Sequence, residues 1–240
     1  MLESPDMNPR KRAGHQLYLA SNSPRRKELL SLTGLEFVLL PARVDETPFP
    51  AEDGVKYVKR IANSKARAAA GLADTDGVII AADTAVVDRN RSEKTEILGK
   101  PANQKDAVGM LQNLRAHVHQ VFTAISILPN QSGTILSDLC TTDVPMRNYS
   151  DEEIVAYVAS GDPMDKAGAY AIQNTGFHPV EKMQGCFANV MGLPLCHLAR
   201  NLSRLKITPP KNVPHACQDA LQYDCPVYHM ILQSKPSLLA

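Results

Sequence analysis

The chain reads as a mixed α/β protein with both parallel and antiparallel strands, and three segments carry that reading. Val78–Ala82 (VIIAA) is a continuous apolar run with β-branched residues, the pattern of a strand buried on both faces. Val118–Leu128 alternates into a long strand, and a turn at Asn130–Gly133 leads to Thr134–Val144, its hairpin partner. Helices interleave with these strands, three of them with a side-chain start signal, so helix and sheet must share one core.

Taken in order, Leu17–Ala20 is a short apolar strand that runs into Ser21, Asn22 and Ser23. Ser23 is a good N-cap and Pro24 a good first helical residue, because the N–H that proline lacks would be unpaired there anyway. This helix carries Arg25 and Arg26 in its first turn and stops at Gly34. Phe37–Leu40 (FVLL) is a second strand, and Arg43–Pro50 a polar, proline-rich loop. Lys56–Ala70 is alanine-rich and helical, decorated by Lys59, Arg60, Lys65 and Arg67. The buried strand follows at Val78 and ends at Asp83. Asn103 caps a helix that runs through Arg115, and Ser150 with Glu153 forms a capping box on one that ends at Gly161. Leu193–Leu205 is the last helix, with Pro194 near its start. The stretch TPPKNVP after Thr208 separates a tail, 208–240, whose order the sequence leaves open; residues 1–14 read as a frayed leader.

At 240 residues the chain can bury a full core as one domain or two small ones. Its 44% apolar and 21% charged residues are those of an ordinary soluble globular protein. A net charge of +1 argues against a nucleic-acid coat or a membrane-seeking surface, so a polyanion site must be local. No apolar run approaches the roughly 18 residues that span a bilayer. The five cysteines (Cys140, Cys186, Cys196, Cys217, Cys225) are irregularly spaced without a C-x-x-C pair. They read as reduced thiols of a cytoplasmic protein, pairing or metal binding by Cys217 and Cys225 being the lesser reading. His117, His119 and His178 have no partner at metal-ligand spacing and read as structural or surface residues.

The first turn of the first helix points to chemistry. Free N–H groups and the positive dipole end make an anion site there, and two guanidiniums add planar donors suited to phosphate. Asp45–Glu46, Asp83–Thr84 and Gly99–Lys100–Pro101 are polar groups placed where apolar elements end. Lys65 and the run Asp165–Gln173 (DKAGAYAIQ) join them. Singly, each has a structural reading as a cap, a turn or a solvated face. Together they supply carboxylates for a divalent metal and cations for phosphates, the parts needed for phosphate-ester chemistry. The chain has neither G-x-x-x-x-G-K-[ST] nor G-x-G-x-x-G, which disfavours a P-loop or a dinucleotide fold.

LASNSPRRKELL, VDE, SKARA, ADTAVV, LGKP, HQVFTA, YVASGDPMDKAGAYAIQ and NVMGLPL together resemble the Maf family of nucleoside triphosphate pyrophosphatases, from about Leu17 to about Leu205. The resemblance implies an elongated, curved mixed sheet flanked by helices, with two lobes about a central cleft. It also implies metal-dependent hydrolysis of a nucleoside triphosphate to monophosphate and pyrophosphate. Ser21, Ser23, Arg25 and Arg26 would form the phosphate turn. Glu46 matches the acidic loop residue, Lys65 the helix lysine, Asp83 the base and Lys100 the lysine of the GKP turn. Asp165, Lys166 and Gln173 would close the other side of the cleft. Arg25, Thr84 and Gln173 side with the branch that acts on dTTP and UTP, whereas Asn174 stands where glycine is usual.

On that reading Glu46 and Asp83 hold Mg²⁺ or Mn²⁺, and Asp83 deprotonates or orients water. Arg25, Arg26, Lys65 and Lys100 neutralise phosphate charge, and Gln173 meets the pyrimidine. Two other readings stand beside it: a septum-formation inhibitor that acts by binding a division partner, and a broader hydrolase of damaged nucleotides. The residues after Thr208 are open to roles as a homodimer contact or a lid.

Overall fold

Six strands form one mixed sheet in the order β2-β1-β3-β5-β6, with β4 pairing β3 off that path. In the computed structural model of the protein, residues 15–89 and 95–234 are described, and the leader 1–14 lies outside them. The elements run β1 (Leu17–Leu19), α1 (Pro24–Ser31), β2 (Val38–Leu39), α2 (Gly54–Ala70), β3 (Val78–Arg89) and β4 (Thr95–Leu98). They continue with α3 (Gln104–Leu114), β5 (Val118–Pro129), β6 (Leu136–Pro145), α4 (Asp151–Ala159), α5 (Phe187–Met191), α6 (Leu195–Arg204), α7 (Val213–Leu221) and α8 (Tyr228–Gln233). Between α4 and α5 lie two 3₁₀ turns, Asp162–Asp165 and Ala167–Ala169.

The strand that opens at Val78 does not end at Asp83, as its apolar run predicts; it continues through Thr84 to Arg89. The cause is β5, which pairs with it from Val78↔Pro129 to Val87↔Gln120. That ladder satisfies the backbone through the polar residues and overrides their local preference for a strand end. On its other edge β3 pairs in parallel with β1 at Val78–Ile80 and antiparallel with β4 from Val86 onward. Neither strand reaches residues 81–85, so roughly 17 Å of β3 has no strand neighbour on that side among the described residues.

Side chains of β3 alternate between two differently packed faces. On one, α2 lays Tyr57, Val58, Ile61 and Ala62 against Ala85, Val87, Phe122 and Ala124, and its Ala66 and Ala69 against Ile79 and Ala81. On the other, Val78, Ile80 and Ala82 pack with Leu29 and Leu30 of α1 and Leu195, Leu198 and Leu202 of α6. Further along the same face Val86 joins Leu111 and Leu114 of α3 and Ile154, Tyr157 and Val158 of α4. Asp83 therefore belongs to the α2 face and Thr84 to the opposite one.

The caps fall where the sequence puts them: Ser23 before α1, Asn103 before α3, and the Ser150–Glu153 capping box before α4. β4 was not expected from the sequence, since four residues are too few for a period to show. Leu193–Leu205 is not the last helix. Residues 208–234 hold α7 and α8, with Val213 buried in the core beside α1 and α6. The Tyr223 hydroxyl lies 2.9 Å from the Gly185 carbonyl and 3.0 Å from that of Met183. Arg200 donates to the Ile231 carbonyl at 2.9 Å and pairs with the buried Asp138. All five cysteines are free thiols. Among the described residues no helix is long and apolar enough to cross a membrane.

Two buried histidines set the acid stability. Burial pushes His119 down to about 3, and it pushes His197 down to about 4 against the opposing pull of Asp138. An unfolded histidine protonates near 6.5, so both groups give their full contribution above that pH and lose it as pH falls. At pH 5 the loss is about 2 kcal/mol for each histidine. Urea denaturation is expected to show the protein less stable at pH 5 than at pH 7, the two histidines together contributing about 4 kcal/mol and the raised Asp83 carboxyl opposing them. Equal midpoints and slopes at the two pH values would disprove the effect.

Candidate active site

Asp83 and Thr84, on the stretch of β3 that neither β1 nor β4 reaches, line a cleft of about 400 Å³. The twelve residues given site roles in the sequence all line it, although they come from positions 21 to 173, whereas Asp45, Gly99 and Pro101 do not. One wall is acidic and built on α2. Lys65 extends its buried ammonium to Asp83 Oδ1 at 2.8 Å and to Glu46 Oε1 at 2.9 Å. Glu46 sits on the exposed β2–α2 loop, which the Tyr57 hydroxyl fixes by donating to the Glu46 carbonyl at 2.9 Å. The other oxygen of Asp83, Oδ2, is buried with no hydrogen-bond partner. Burial raises the Asp83 carboxyl above its usual range, against the opposing pull of Lys65 and Arg26.

The opposite wall is the turn before α1. Ser21 Oγ accepts from the Ser23 amide at 3.1 Å, and Ser23 Oγ caps the Arg26 amide at 3.5 Å. The Arg26 side chain is seated before any ligand arrives. Its Nε donates to the Gly192 carbonyl at 2.8 Å and its Nη2 to Thr84 Oγ1 at 3.0 Å. Thr84 in turn lies 2.9 Å from Thr123 Oγ1, which donates to the Asn189 carbonyl at 3.0 Å. Burial works to lower Arg26, opposed by Asp83 and Glu46. Arg25 points across the cleft, with Nη1 3.5 Å from Asp165 Oδ2.

The third side comes from the turns after α4. Lys166 is held by Asp165 Oδ1 at 2.6 Å and by Asp162 Oδ1 at 3.0 Å. Gln173 stands exposed at the rim, and Lys100 lies exposed beyond β4 on a turn tied down by the Gly168 amide, which donates to the Gly99 carbonyl at 3.0 Å. The arrangement thus gathers cations on three sides of a carboxylate with one free oxygen. It can bind a chain of phosphates and activate a water beside them.

Two residues escaped the sequence reading. Gly192 supplies the carbonyl that seats Arg26, but α5 has only five residues, too few for periodicity to reveal it. Its signal was a glycine directly after an apolar segment and before Leu-Pro, the pattern of a helix C-cap. Asp162 holds Lys166, and its signal, an aspartate opening the GDP turn, is indistinguishable from an ordinary turn former. His119, placed among structural residues by the sequence, is buried with Nε2 2.8 Å from the hydroxyl of Tyr170, which lines the cleft.

The sheet and cleft define an α/β protein with a cationic groove around paired carboxylates at an interrupted sheet edge. Residues 16–205 match the family described as Maf-like protein, and the chain belongs to that family. A protein of Alkaliphilus metalliredigens named dTTP/UTP pyrophosphatase is 43% identical over 189 residues, 79% of this chain and 95% of its own length. One of Geobacter sulfurreducens with the same name is 42% identical, covering 79% and 96%. Another from Escherichia coli is 41% identical over 199 residues, covering 83% and 98%. Among solved structures, a HAM1 protein from Coxiella burnetii matches with a TM-score of 0.40 and 17% identity, over 67% of this chain and 89% of that one.

Proposed function

We propose that the protein hydrolyses dTTP and UTP to the monophosphate and pyrophosphate. One observation carries this reading: Lys65 holds Asp83 by a single oxygen, leaving the buried Oδ2 without a hydrogen-bond partner on a residue that lines a cleft ringed by Arg25, Arg26, Lys100 and Lys166. The names of the relatives supply the substrate, and Arg25, Thr84 and Gln173 agree with the pyrimidine branch that the sequence resembles.

A divalent cation fits the donors present. Glu46 and Asp83 are hard oxygen ligands, and a buried carboxylate oxygen without a partner is an acceptor in want of one. Among the described residues no cluster of three or more metal-ligating side chains occurs, which suits Mg²⁺ or Mn²⁺ held by two carboxylates with substrate phosphates. When bound, such an ion supplies positive charge to the phosphate oxygens and the departing pyrophosphate.

The remaining work falls to the chain. Asp83 Oδ2 takes the proton of a water that attacks the α-phosphorus, and the burial that raises its pKa makes it a stronger base than an exposed aspartate. Lys65 keeps Asp83 in one rotamer. Arg25 and Lys100 meet charge on the phosphates, and Arg26 does so from a seat that needs no rearrangement. Gln173 offers an amide to the pyrimidine edge, and a purine is excluded by size. The free thiols accord with a cytoplasmic setting.

Purified protein with Mg²⁺ or Mn²⁺ is expected to release pyrophosphate from dTTP and UTP at least tenfold faster than from dATP or dGTP. A panel that includes modified pyrimidine triphosphates tests the broader damaged-nucleotide role. Release of orthophosphate, or equal turnover of purines, would overturn the proposal.

A further inference from the structure

Among the described residues Gln173 finds no hydrogen-bond partner for its side chain, yet the turn that carries it is fastened at both ends. The Asn174 amide donates to the Ala171 carbonyl at 3.0 Å, closing a four-residue turn with Gln173 inside it. At the first end, the Ala171 amide donates to the Tyr157 hydroxyl at 3.0 Å. At the last end, Asn174 Nδ2 donates to Asp162 Oδ2 at 3.1 Å. Those two anchors are themselves joined, since the Tyr157 hydroxyl donates to the same Asp162 Oδ2 at 2.8 Å.

The chain beyond the turn is drawn into the same unit. Asn174 Oδ1 accepts from the Phe177 amide at 2.8 Å, and its carbonyl accepts from the His178 amide at 2.9 Å. The Phe177 ring stacks on Tyr157 with centroids 4.2 Å apart and planes 9° from parallel. Asp162 uses its other oxygen to hold Lys166 at 3.0 Å. One carboxylate therefore anchors both the amide at the nucleobase end of the cleft and a cation on its wall.

We propose that Tyr157, Asp162 and Asn174 form a clasp that positions Gln173 and Lys166, and that Asn174 is a specificity-determining residue acting through Gln173. The specificity part rests on the reading of Gln173 as the base contact. The physical reason is preorganisation. An amide on a fixed turn meets one arrangement of donors and acceptors and leaves a wrong base unpaired. An amide on a loose turn adapts to several bases and loses ordering entropy with each. A glycine at 174 would supply neither side-chain bond.

Two variants test this in the full chain. Tyr157→Phe keeps the ring and its stack but removes both hydroxyl bonds; Asn174→Ala releases the other end. Amide hydrogen exchange over residues 171–178 is expected to speed up about tenfold in each without ligand, the rest of the chain exchanging as before. The ratio of kcat/KM for dTTP over dATP is expected to fall about tenfold, chiefly through KM for dTTP. Unchanged exchange in both variants overturns the clasp whatever the substrate. Faster exchange with an unchanged ratio, or an equal fall in kcat for both nucleotides, overturns the specificity role and leaves only a structural one. A wild-type protein that does not prefer dTTP overturns the assignment of Gln173, and the specificity role with it, while the exchange rates still decide the clasp.

Discussion

Asp83→Asn is expected to lower turnover of dTTP about a thousandfold, the scale of a lost general base, with the fold intact. Asparagine keeps the shape and still offers one oxygen to Lys65, but it cannot take a proton from water. The same change is expected to leave thermal stability equal or raised. Burial lifts the Asp83 carboxyl above its ordinary range, so the folded state favours its neutral form. The ionised group therefore costs stability at neutral pH, and that cost is relieved as pH falls through the raised value. Turnover has the opposite dependence, because it needs the ionised form. Turnover within tenfold of wild type in Asp83→Asn would remove Asp83 from the reaction.

Gly192→Ala is expected to damage both stability and substrate binding. Gly192 has φ +112°, and an added Cβ would lie 3.3 Å from both Arg26 Nε and Thr84 Oγ1. Its amide closes α5 by donating to the Asn189 carbonyl at 2.9 Å, so the turn cannot swing away without opening the helix end. Backbone strain of this kind costs about 2 kcal/mol, which for a chain of this size lowers Tm by about 4–8 °C. The seat of Arg26 is disturbed at the same time, and KM for dTTP is expected to rise about tenfold. An alanine variant with wild-type Tm and KM would show that Arg26 needs no fixed carbonyl. Arg26→Lys separates the two effects: it loses the bidentate fork, so KM rises while Tm changes less than in Gly192→Ala.

The cleft was more legible in the sequence than the strands that build it. Ser23–Pro24 and Ser150–Glu153 could be placed because caps act over three or four residues. Ser21, Lys65, Asp83 and Lys166 could be nominated because they fall in strings that resemble the family's motifs, not because any of them stands out alone. What did not show was anything decided by distant pairing. The extension of β3 past Asp83 depends on a ladder with β5 some forty residues later, and no window around Asp83 contains it. β4 and α5 are shorter than the period needed to see them. Asp162 escaped for a different reason. Its residue type suits a turn and a clasp equally, and only Tyr157 and Asn174 coming together in space tell the two apart.

The open edge of β3 also governs which genetic changes this site can survive. Asp83 reaches Lys65 and Thr84 reaches Arg26 only because the two are neighbours on a pleat whose frame is locked to β5. Losing one residue between Val78 and Asp83 would put Thr84 in the place of Asp83 and present a hydroxyl to the lysine; gaining one would put Asp83 in the place of Thr84 and present a carboxylate to the seated arginine. Point changes at Ala81 or Ala82 alter packing and leave that assignment intact. For this strand, length is inherited as strictly as the identity of the aspartate.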